Sequence, residues 1–120
     1  MILALLLQTA MPPMPAWDMM PPLRLREERH VSAESSQFVA GEYAQGHCAR
    51  PGAMPHLSLD VALLIDHDGT VAASVPRAID CPTVEQFAAG LATGWARGNL
   101  ARRARRIGWY RLRLDFDWTG

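Results

Sequence analysis

Ten residues near the end of the chain, Trp109 to Trp118, alternate between two kinds of side chain. Tyr110, Leu112, Leu114, Phe116 and Trp118 fall on one side, and Trp109, Arg111, Arg113, Asp115 and Asp117 on the other. Such a run has the period of a strand, with its first side as a core face and its second side solvated. A strand needs a neighbour, and one lies upstream. Leu57, Leu59, Val61, Leu63 and Ile65 share one side, while Ser58, Asp60, Ala62 and Asp66 mostly share the other; Leu64 breaks the pattern. His67, Asp68 and Gly69 then make a tight reversal, because Asp-Gly tolerates the positive φ angles that hairpin turns demand. Thr70 to Val75 returns as a second strand, closed by Pro76.

Between the hairpin and the closing strand lies an amphipathic helix. Val84, Phe87, Ala88, Leu91 and Trp95 form one apolar stripe, Thr83 and Gln86 have the spacing of a capping box, and Gly98-Asn99 supplies the stop. Gly90 and Gly94 flank the stripe, where absent side chains allow a sheet or a partner to come close. The order ββαβ predicts an α+β fold: a small antiparallel sheet with one main helix packed on it, its core spanning 57–118 within a single domain over 31–120.

The first half is less regular. Residues 1–16 have the pattern of a signal peptide, with an apolar run from Ile2 to Leu7 and small residues Ala10 and Ala16 as cleavage positions. A membrane span needs about 20 apolar residues, and Pro12, Pro13 and Pro15 interrupt this stretch, so cleavage is expected rather than anchoring. Residues 17–30 read as a Pro-rich or extended lead-in, with Leu23 and Leu25 alternating with Arg24 and Arg26 as in a short strand. Ser32 to Gln45 suits a helix, although Gly41 weakens it and Gln37 to Ala40 also suits a strand; both readings stand. Export would let Cys48 and Cys81 close a disulfide, and two buried thiols are the alternative.

Charge is balanced overall, with 12 basic and 12 acidic residues, which gives no general pull toward nucleic acid or a membrane surface. It is segregated locally. Residues 97–113 hold seven of the arginines and no acid, whereas 57–96 carries five acids against Arg77 alone. Arg102, Arg103, Arg105 and Arg106 are therefore candidate anion-binding residues, since a guanidinium grips oxyanions in a fork; a solvated loop balancing the acidic hairpin fits the same pattern. His56, Asp66, His67 and Asp68 contain the atoms of a metal site, but three of them lie in or beside a turn whose geometry the Asp-Gly pair already explains. No nucleophile elbow, HExxH, P-loop or GxGxxG is present, and Ser58 and Ser74 have no placed base, so neither an enzyme nor a cofactor is expected.

The strand ending Ile65-Asp66-His67-Asp68-Gly69-Thr70-Val71, the Cys81-Pro82 approach to a helix carrying Trp95, and the closing strand together resemble the C-terminal domain of the TonB family of periplasmic energy transducers. The likeness covers about residues 57 to 118. It implies a helix on an antiparallel sheet whose edge, here Trp109 to Trp118, receives a segment of an outer-membrane transporter by strand addition. In that mode main-chain hydrogen bonds give affinity and alternate side chains give selectivity. Arg111, Arg113, Asp115 and Asp117 are then the partner-binding residues, their two positive and two negative charges set to pair diagonally with a neighbouring strand. Force-transmitting relatives resemble one another in an uncleaved membrane helix and a long Pro-rich spacer. The Pro-rich piece here, residues 11–22, spans about 40 Å at most, which points to a free-standing periplasmic relative that binds without transmitting force. The alternatives are an envelope anion or polymer binder working through the arginine loop, and a structural dimer.

Overall fold

The alternation at 57–65 and the alternation at 109–118 meet in one ladder. In the computed structural model, which describes residues 11–48 and 55–119 without the side chains of residues 104 and 105, β1 (His56–Ile65) is the central strand. It pairs antiparallel with β2 (Val71–Pro76) on one side and with β3 (Gly108–Asp117) on the other. The expected α+β class is present, with two helices on the sheet rather than one: α1 (Ala33–Ala44) and α2 (Pro82–Ala96). Most of the expected leader, residues 1–10, lies outside the described residues.

The register explains the core. Leu57, Leu59, Val61, Leu63 and Ile65 stand opposite Phe116, Leu114, Leu112, Tyr110 and Gly108, so the apolar sides of β1 and β3 form one face. This face packs under α2 and α1, and its five β1 residues are 5 % exposed or less. A bulge between Leu64 and Ile65 pairs Leu64 with Ala73 and Ile65 with Val71, which leaves Ala72 as the extra, exposed residue. The turn before it is built by Asp66, whose carboxylate accepts hydrogen bonds from the amides of Asp68 and Thr70 and from the Thr70 hydroxyl, with Gly69 at φ 75°.

The helices depart from the expected details. Helix α1 takes the helical option for 32–45: Ser32 caps it by accepting from the Ser35 amide, and Val39 is fully buried. Helix α2 is not started by a Thr83–Gln86 box. Pro82 occupies its first turn, and the Glu85 carboxylate reaches back to the amides of Ile79 and Cys81, while Thr83 donates to Glu42 on α1. Its buried strip is Val84, Ala88, Ala89, Ala92 and Ala96, with Phe87, Leu91 and Trp95 packed along the margins. Gly90 and Gly94 are exposed, and a Cβ at either would touch nothing within 4 Å. The expected close approach at these glycines is absent; the alanines supply the close packing on the sheet. Cys48 and Cys81 form a disulfide across 33 residues, tying the end of the α1 region to the start of α2.

The largest correction concerns the second face of the sheet, expected to be solvated. Ala62, Leu64 and Trp109 on that face are buried together with Met20, and Trp17, Ala73 and Val75 pack around them. The cover is the Pro-rich lead-in. Its Trp17–Met19 turn drops Met20 onto the sheet, and the Trp109 indole donates to the Pro12 carbonyl at 2.9 Å. The residue that broke the alternation of β1, Leu64, is thus among those the lead-in covers.

Candidate functional site

A strand-addition site needs main-chain groups that point away from their own sheet. In an antiparallel ladder, alternate residues face the neighbour and the outside. On β3 the outward set is the odd-numbered residues, because the Arg111 amide donates to the Pro21 carbonyl at 2.9 Å and its carbonyl accepts from Leu23 at 2.8 Å. The lead-in therefore runs parallel to β3 at this point. Farther along, the Asp117 amide donates to the Ser36 hydroxyl of α1 at 3.1 Å. The edge expected to be open along the whole closing strand is thus closed at both of these residues. Between them, no hydrogen bond from another segment among the described residues reaches the main chain of Arg113 or Asp115.

A groove opens beside this gap because the lead-in turns away from β3 after Leu23. The Arg26 amide donates to the Asn99 carbonyl at 2.7 Å, Ala101 donates to Arg24 at 3.0 Å, and Leu25 bridges Leu100. Asn99, 2 % exposed, clasps the crossing by accepting from the Glu27 amide and donating to the carbonyls of Glu27 and Trp95. The groove measures about 560 Å³. Leu23, Leu25, Trp95 and Leu112 give it apolar walls, and Arg24, Arg26 and Arg29 outnumber Glu28 among its charged residues.

The charges on the second face pair straight across the sheet, not diagonally. Asp60 stands opposite Arg113, and Arg77, one residue past β2, donates its amide to the Asp60 carbonyl. The side chains follow the same row: Arg113 Nε lies 3.2 Å from Asp60 Oδ1, and Arg77 Nη1 lies 3.7 Å from Oδ2. Asp60 is 8 % exposed, whereas the two arginines are more than half exposed. The Arg77 guanidinium also sits over the Trp17 ring, 5.5 Å from its centre, a cation–π contact. Arg111 lies opposite Ala62 and has no carboxylate partner among the described residues. Asp115 accepts from Ser58 opposite it at 2.5 Å. Asp117 is bonded by the Thr119 hydroxyl and amide, which together with the charge of nearby His56 hold its carboxyl below the ordinary range.

Arg102 to Arg105 form one short turn; Arg102, Arg103 and Arg106 are exposed, and the Arg105 side chain is outside the described set. Arg103 borders a cavity of about 260 Å³ beside Arg24 and Tyr110. At the hairpin, Asp66, His67 and Asp68 come within 4.8 Å of one another, but Asp66 already accepts three hydrogen bonds within its own turn. Those bonds, the Thr70 hydroxyl foremost, also hold its carboxyl below the ordinary range.

Asp60, Arg77 and the groove arginines Arg24, Arg26 and Arg29 are the residues that periodicity alone left unassigned. The Asp60–Arg113 pairing requires the β1–β3 register, and the groove requires the path of the lead-in. No protein-family model, curated protein or solved structure matches this chain.

Proposed function

We propose that the protein is an exported, periplasmic binding module of the TonB C-terminal type, which takes an extended segment of a partner protein beside β3 and performs no catalysis. The observation that carries this reading is the pair of outward residues, Arg113 and Asp115, whose main chain no other segment among the described residues bonds, beside a groove with apolar walls and an excess of arginine. Strand addition joins main chain to main chain and reads alternate side chains. Two outward residues offer two N–H and two C=O groups, each hydrogen bond worth about 0.5–1.5 kcal/mol net. Contacts with the groove must then supply the rest, apolar partner residues meeting Trp95 and Leu112 and acidic ones meeting Arg24, Arg26 and Arg29. A short outer-membrane transporter segment with alternating apolar and acidic residues fits this chemistry. The disulfide suits an oxidising compartment, and no helix among the described residues is long and apolar enough to cross a membrane.

The test is amide hydrogen exchange on the full chain with a synthetic peptide of alternating acidic and apolar residues. Binding is expected to protect the Arg113 and Asp115 amides, and an Arg24→Glu, Arg29→Glu variant is expected to lose that protection. Protection confined to other strands, or unchanged by reversing those charges, refutes the docking site. Cell fractionation with thiol labelling tests the address: cytoplasmic protein with two free thiols would overturn it. A self-associating chain whose Arg113 amide is already protected in the dimer would assign the edge to a second copy instead.

A further inference from the structure

The row Arg77–Asp60–Arg113 places two guanidiniums on either side of one buried carboxylate, and Arg111 shares their face without an acidic partner. All three arginines line one cleft of about 520 Å³ between the lead-in and the second face, whose other charged residues are Asp60 and Asp18. Bringing three cations together costs repulsion that a single buried carboxylate offsets only in part. Two of them are nevertheless fixed in place: Arg113 by its Nε bond to Asp60, and Arg77 by Asp60 together with the Trp17 ring. Guanidiniums held at one edge keep their remaining N–H groups for an oxyanion, and they lose little freedom when they grip one.

We infer that this cleft is an anion site for a phosphate group, free or as a phosphomonoester, bound by Arg77, Arg111 and Arg113 and closed on one side by Trp17. Phosphate suits it better than a single carboxylate because its oxygens, directed to several sides, can each meet one of the three guanidinium forks, whereas a planar carboxylate offers only two. The site lies on the opposite face of the sheet from α2 and shares Arg113 with the groove beside β3, whereas Arg77 and Arg111 belong to this cleft and not to that groove. Arg102, Arg103, Arg105 and Arg106, the arginines that stand out in the sequence, are not part of it.

Calorimetric titration of the full chain with inorganic phosphate tests the assignment. Saturable binding is expected, weakened about tenfold or more by Arg111→Ser, the value of one charge-assisted contact, and weakened less by Arg111→Lys. Because the Arg111 side chain pairs with no carboxylate among the described residues, the serine variant is expected to keep its thermal midpoint. A variant with Arg102, Arg103 and Arg106 changed to Ser should bind as the parent does. Vesicles containing phosphatidic acid form a second arm: Arg111-dependent binding there identifies a lipid headgroup, and binding of phosphate alone identifies a free anion. No saturable binding in either arm, or binding indifferent to Arg111 and sensitive to the loop arginines, overturns the inference.

Discussion

At the scale of single residues, position on a face decides what a side chain does. Asp60 and Asp115 have the same chemistry and both lie on the second face, yet Asp60 is sealed beneath two arginines while Asp115 is exposed and bonded to Ser58. The difference is the strand they occupy, central for Asp60 and edge for Asp115. Gly90 and Gly94 show the reverse case, residues that hold nothing. In an exposed helix interior, glycine costs roughly 0.5–1 kcal/mol against alanine through backbone entropy. With open space at both positions, Gly90→Ala and Gly94→Ala are each expected to raise stability by about that amount in urea unfolding. A loss of stability at either position would mean that the helix surface is covered after all.

Among the elements, the lead-in has the most distinctive part. It covers the second face through Met20 and Trp17, occupies the β3 edge through Pro21 and Leu23, and frames the groove through Leu25 and Arg26. Met20 is 2 % exposed, so Met20→Ala is expected to cost about 2–4 kcal/mol, the usual range for emptying a buried methionine site. Thermal unfolding checks this; a change below about half a kilocalorie would show that the lead-in is not part of the folded unit. The disulfide works on a second pair of elements. Closing 33 residues restricts the unfolded chain by roughly 3–4 kcal/mol on the chain-entropy model. Replacing Cys48 and Cys81 together by Ser should lower the denaturant midpoint accordingly, and an unshifted midpoint would place the stabilisation elsewhere.

For the molecule as a whole, three hydrogen-bonded carboxylates contribute to the loss of stability in acid. Glu42 is bonded first by the Thr83 hydroxyl and then by His47, Asp66 by Thr70, and Asp117 by Thr119; each titrates below its ordinary value of 4.5 for Glu42 and 3.8 for the two aspartates. The unfolded chain, with ordinary values, binds these protons first as the pH drops. Their contribution is therefore complete above the ordinary values and is lost as the pH falls through them toward the folded-state values. The thermal midpoint should fall between pH 5 and pH 3, and Asp66→Asn should flatten that fall; a midpoint constant over this range would contradict the linkage.

What the sequence determined by itself was whatever repeats along the chain. Period two in β1 and β3, the Asp-Gly turn and the α2 stripe each report a local backbone geometry, because side chains two or nearly four residues apart share a face whatever surrounds them. From these the α+β class and the core face of the sheet were legible, and the even number of cysteines pointed to the disulfide. Leu64 and Trp109 are apolar residues on the side expected to be solvated, and nothing in their spacing showed that this face is covered or by what. That was left to the tertiary structure: the Pro-rich lead-in lies across the sheet, the β3 edge is partly filled, and Asp60 gathers Arg77 and Arg113 into one row. Met20 and Trp109 are 89 residues apart in the chain, and Asp60 and Arg113 are 53 apart. Contacts of that range leave no period in the sequence, since they depend on strand register and on the path of an irregular segment, which only the packing of the whole chain fixes.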